Sequence, residues 1–105
     1  MAYKVVTDYT ANISDNAHVK VYVRARPVQD PSSNYTVSEE NPKTITVNDP
    51  TNKAYGEHAF SFDQVFWTDT EQTAVFNTVA REQVDFVLQG YNSCSFAYGQ
   101  TGSGK

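Results

Sequence analysis

Gly99-Gln100-Thr101-Gly102-Ser103-Gly104-Lys105 is the stretch that decides the fold. It spells G-x-x-x-x-G-K, the Walker A pattern of a phosphate-binding loop, and stops one position short of the Ser or Thr that usually follows. With Gly at about 7% of residues and Lys similarly abundant, three fixed positions match by chance on the order of once in 3,000 start sites. The residue types suit the chemistry. Gly99 and Gly104 let the backbone curl closely around phosphate oxygens, and successive N–H groups along the loop can point inward as an anion nest. Lys105 would place an ammonium beside the terminal phosphates, and the Ser or Thr after it would hold a magnesium ion. The sequence therefore reads as an N-terminal piece of a longer protein that binds a nucleoside triphosphate.

A phosphate loop joins a buried strand to a helix N-terminus. Upstream lies Cys94-Ser95-Phe96-Ala97-Tyr98, short, mostly apolar and ended by Gly99, the pattern of a buried strand. Cys94 within it reads as a buried structural thiol. Before that, Phe76, Val79, Ala80, Val84, Val87 and Leu88 recur at spacings of three and four, predicting a helix with one core-facing apolar stripe. A short helix ahead of the long one is compatible with residues 63–88. Thr68 with Glu71, or Asp69 with Gln72, offers a capping box, and Gly90 a C-cap. His58-Ala59-Phe60-Ser61-Phe62 predicts a strand, from which the helix would cross over to strand 94–98.

Further out, the stretch from Gln29 to Glu57 is rich in Asp, Asn, Pro, Ser and Thr. Its short β-branched runs at Tyr35-Thr36-Val37 and Thr44-Ile45-Thr46-Val47 predict a small antiparallel meander, with turn chemistry at 48–53. Val19, Val21 and Val23 alternate with Lys20, Tyr22 and Arg24, the period of a strand, and Pro27 ends it. Residues 1–17 are polar and without sustained periodicity. They read as a flexible N-terminal extension, in which Val5-Val6 could pair as a short strand. The expected fold class is α/β.

At 105 residues there is room for one small domain. A net charge of −4 argues against a nucleic-acid partner. One cysteine excludes an intrachain disulfide and fits a reducing compartment. No apolar run is long enough to insert in a membrane, and the N-terminus lacks the apolar core of a secretory signal. His18 and His58 have no ligand-like spacing to Cys or acidic residues, and Asp69 suits a helix cap better than a metal, so no metal site is expected within this chain.

Four blocks agree in order and spacing: Val21-Tyr22-Val23-Arg24-Ala25-Arg26-Pro27, Phe60-Ser61-Phe62-Asp63-Gln64-Val65-Phe66, Gly90-Tyr91-Asn92, and Phe96-Ala97-Tyr98-Gly99-Gln100-Thr101-Gly102-Ser103-Gly104-Lys105. From His18 to Lys105 the chain resembles the N-terminal third of a kinesin motor domain. The resemblance implies a truncated P-loop NTPase fold with a small antiparallel β lobe and an incomplete central sheet. In that family a C-terminal strand lies between the strands matching 19–24 and 94–98, so a gap is expected here, and open sheet edges invite self-association. It also implies a parent that is a microtubule-stimulated ATPase using ATP and Mg²⁺, working in the cytoplasm on the microtubule cytoskeleton. Gly99, Gln100, Thr101, Gly102, Ser103, Gly104 and Lys105 would hold the phosphates, with Lys105 stabilising them during transfer. Arg24 and Pro27, with Arg26 close by, would border the adenine, and Asp63 would be structural. The switch segments and microtubule-facing loops of the family follow the phosphate loop, so microtubules would be met through parts of the parent absent here, and the isolated chain is expected to be inactive. The alternatives are a non-motor P-loop ATPase, or a non-hydrolysing pseudo-motor that serves as an interaction module.

Overall fold

The computed structural model describes residues 2–8, 19–31, 33–51 and 56–105. In chain order the elements are β1 (Ala2–Asp8), β2 (Lys20–Ala25), β3 (Tyr35–Val37), β4 (Thr44–Asn48), β5 (Glu57–Ser61), β6 (Gln64–Phe66), α1 (Gln72–Val79), α2 (Arg81–Leu88) and β7 (Cys94–Tyr98). They build a four-stranded sheet in the order β6-β2-β1-β7 and a three-stranded sheet in the order β3-β4-β5. The second is the expected meander: β4 pairs antiparallel with β3, Thr36 opposite Thr46, and with β5, Thr46 opposite Ala59.

In the larger sheet β6 runs parallel to β2, with Val23 opposite Val65. β1 runs antiparallel to both β2 and β7, with Val6 opposite Val21 on one side and Phe96 on the other. β2 and β7 are therefore parallel to each other, and β1 separates them. This corrects the expected gap. The strand between 19–24 and 94–98 comes from the chain's own N-terminal segment, so neither that slot nor its backbone groups call for a second copy. Residues 2–8 are paired on two sides and are not a free extension; residues 9–18, read as part of that extension and including His18, lie outside the described residues.

β2 is buried on both faces, which creates two cores. Successive side chains of a strand point to opposite sides. Tyr22 packs with Phe66, Val75 and Val79 on the helix side, its ring centroid 6.0 Å from that of Phe66. Val23 packs with Val65 and Ile45 on the side of the small sheet, flanked by Val37, Phe62 and Trp67. Adjacent residues of β6 thus serve different cores, and Phe66 is the more deeply buried at 2% exposure. The alternation read from Val19, Val21 and Val23 gives the strand but not this second face. The strand expected at 58–62 is present as β5, but it belongs to the small sheet, so the helices cross over from β6, which joins β2.

The helical region breaks at Ala80, which is the C-cap of α1 and the N-cap of α2. Neither expected capping box forms, because Glu71 is the N-cap residue and no side chain bonds there. Asp69 is therefore no cap. The buried positions are Val75, Val79 and Gln83, whereas Phe76, Val84, Val87 and Leu88 are exposed, Leu88 at 80%. The apolar stripe exists, but the side facing the described sheet is the neighbouring one. Gly90 does end α2, at φ 96°. Tyr91 N–H donates to Phe86 O at 3.0 Å, and Gly90 N–H to Val87 O at 3.0 Å, a Schellman arrangement. The rings of Phe86 and Tyr91 meet edge to face across it. β7 departs from expectation too: all five of its residues are exposed, Cys94 among them. An edge strand whose faces lack a covering layer cannot bury an apolar run, however apolar its sequence.

Candidate functional site

The loop 99–105 follows β7 directly. Gly102 and Gly104 take φ values of 82° and 90°, the left-handed region that glycine enters without a Cβ clash. Ser103 N–H donates to Gln100 O at 3.1 Å, the only backbone hydrogen bond within the loop among the described residues. Ser103 is 1% exposed, and its Oγ has no hydrogen-bond partner among the described residues. A buried hydroxyl left unpaired costs about 1–3 kcal/mol, a cost that a polar ligand reaching Ser103 Oγ would offset. Lys105 folds back so that Nζ donates to Gly99 O at 2.9 Å, closing the loop on itself with its ammonium at the mouth.

The end of β2 supplies a second cation. Arg26 Nη1 donates to Gly102 O at 2.8 Å, tying the strand end to the loop across 76 residues of sequence. Arg24, two residues earlier, goes elsewhere: its Nη1 donates to Gln72 Oε1 at 2.6 Å at the start of α1. Pro27 is exposed beyond the strand. The structure thus brings Arg26, and not Arg24, onto the loop. Asp63 holds the base of β2, with Val21 N–H donating to its Oδ2 at 2.7 Å and its own N–H donating to Val21 O at 2.9 Å. That is the structural role expected of it. His58 is exposed on β5, its ring 6.4 Å from that of Phe60.

Two cations, glycine-shaped backbone and an orphaned hydroxyl converge on one short segment. Its donors fit an anionic group such as a polyphosphate. No group of three or more His, Cys, Asp or Glu side chains is placed to hold a metal ion among the described residues, so a magnesium ion would depend on ligands other than these. No helix among the described residues is long and apolar enough to cross a membrane.

The family model for the kinesin motor domain matches residues 18–105. This chain belongs to the kinesin family. It is 36% identical over 115 residues to the kinesin-like protein KIF14 of Mus musculus, an alignment that covers all of this chain and 7% of the relative. It is 41% identical over 97 residues to the kinesin-like protein klp-20 of Caenorhabditis elegans, covering 83% of this chain and 14% of the relative. With the kinesin-like protein KIP1 of Saccharomyces cerevisiae it shares 36% identity over 101 residues, 90% of this chain and 9% of the relative. The chain thus spans a small fraction of the length of these relatives. No solved structure matches it. The family-model match begins at residue 18, so β1, which sits inside the four-stranded sheet, lies outside that match, although the alignment to KIF14 extends over it.

The polar cluster behind the loop was not anticipated. Gln83 is 8% exposed, and it takes the place in the buried row after Val75 and Val79 where another apolar residue would be expected. Its Nε2 donates to Val79 O at 2.7 Å. Its Oε1 accepts from Ser93 Oγ at 2.8 Å and from Ser95 Oγ at 2.7 Å. The one available signal was a polar residue four positions after Val79, easily read as solvent-facing.

Proposed function

We propose that this chain is the nucleotide-binding front of a microtubule motor, with Gly99–Lys105 as the cradle for the phosphates of ATP. The observation that carries this reading is the convergence of Lys105, Arg26 and the partnerless Ser103 hydroxyl on the glycine-shaped loop, in a chain of the kinesin family. Bound ATP with Mg²⁺ would supply phosphoryl transfer to water. The residues here would hold and orient it. Lys105 Nζ now donates to a neutral carbonyl, and a phosphate oxygen is a stronger, charged acceptor for it. Gln100, Thr101, Gly102 and Gly104 offer backbone N–H groups to the same oxygens. Arg24, Arg26 and Pro27 would border the base, Arg26 also bracing the loop from outside.

Hydrolysis and movement would need the switch segments and track-facing loops that the resemblance places after the phosphate loop. The isolated chain is therefore proposed to be inactive, and the longer protein to work on cytoplasmic microtubules. Self-association of the chain alone would use the outer edge of β7, where Phe96 and Tyr98 are exposed; light scattering that shows only monomer removes that part. The decisive experiment is Lys105→Ala in the longer protein. Microtubule-stimulated ATP turnover should be abolished, and near-normal turnover would sink the phosphate-loop assignment. An unsubstituted protein that binds ATP without turnover would instead point to a pseudo-motor.

A further inference from the structure

We propose that Gln83 is a positioning residue for the phosphate loop, acting through β7. The inference rests on reading Gly99–Lys105 as that loop. None of the five side chains of β7 is buried, so packing does little to fix where the strand lies. Among the described residues its one strand neighbour is β1, to which it pairs from Cys94 to Tyr98. Toward the helices it is held by Ser95, whose hydroxyl donates to Gln83 Oε1, and by Ser93 in the turn just before the strand, whose hydroxyl donates to the same oxygen. Both lone pairs of that oxygen are used, while Gln83 Nε2 is anchored on Val79 O in the helix break. A satisfied network centred on a buried amide favours one arrangement of the groups it joins. Ser95 lies four residues before Gly99, whose carbonyl receives Lys105. The depth of β7 against α2 therefore sets where the mouth of the loop stands.

The test is residue-resolved amide exchange by NMR on the full chain, on Gln83→Leu, on Ser95→Ala and on the double variant. The loss of one or two hydrogen bonds should speed exchange of the β7 amides, and of the Ser103 amide bonded to Gln100 O, by about three- to tenfold. The β4 amides in the other sheet should keep their rates. The double variant should be no faster than the faster single, because both substitutions break the same cluster. Ser95→Ala, at an exposed position, decides the matter if Gln83→Leu fails to fold. Equal acceleration in both sheets would make Gln83 merely structural and overturn the proposal. So would unchanged exchange in β7, or additive effects. Lys105→Ala tests the loop assignment separately: unchanged ATP affinity there refutes that assignment whatever the β7 rates do.

Discussion

Val6→Pro interrogates the sheet at its middle. Val6 stands opposite Val21 of β2 and Phe96 of β7, so its N–H faces a strand whichever way it points. Proline removes that donor. The lost hydrogen bond costs about 0.5–1.5 kcal/mol net, and the acceptor left unpaired about 1–3 kcal/mol more. A total of about 2–4 kcal/mol is a large share of the about 5–15 kcal/mol available to a small domain. Val6→Ala keeps the N–H and serves as the reference, so the difference between the two variants reports the lost donor together with the φ that proline imposes. In urea, with a slope of about 1–3 kcal/mol per M, the Pro variant should unfold at least about 0.5 M earlier than the Ala variant. Coincident midpoints would show that β1 contributes nothing as a strand, and the order β6-β2-β1-β7 would have to be abandoned.

Three further outcomes are expected. Phe66→Ala empties the most buried apolar site and breaks the packing with Tyr22, Val75 and Val79; a loss of about 3–5 kcal/mol should lower the urea midpoint followed by circular dichroism by at least about 1 M. Gly90→Ala meets open space but a φ of 96°, so it should lower stability by about 1–2 kcal/mol by urea titration, with α2 fraying at its C-terminus. Burial, and then the carboxylates of Asp63 and Glu82, raise the Tyr22 phenol above its ordinary 10.0. The unfolded chain then loses that proton first, so Tyr22 adds no pH dependence below about 10 and stability falls as pH rises beyond it. Thermal melts of Tyr22→Phe should fall less steeply in that range; identical slopes would refute this.

What was legible beforehand was local. The glycine spacing of 99–105, the period-2 run of β2, the β-branched meander and the helix stop at Gly90 are each written in adjacent residues, and each is present. What was missed depends on distant partners. The apolar run of β7 promised burial, but burial is decided by what covers a strand, and Cys94 came out exposed. Arg24 and Arg26 sit two apart and share the chemistry expected of the site. Only the placement of Gln72 and Gly102 separates a helix contact from a loop contact. β1 carried no strong signal because a polar segment becomes a strand once two neighbours offer it ladders.

The pairing of β1 with β7 has a temporal consequence. Lys4 meets Tyr98, so β1 waits until β7, made about 90 residues later, before its second edge is covered. At about 5–20 residues per second, that delay is roughly 5–20 s. During it β1 can form only its nearer ladder with β2, with one row of N–H and C=O groups left open. Nascent chains held near residue 90 should accordingly be most prone to capture by strand-binding chaperones, and those extended past Tyr98 should lose that susceptibility.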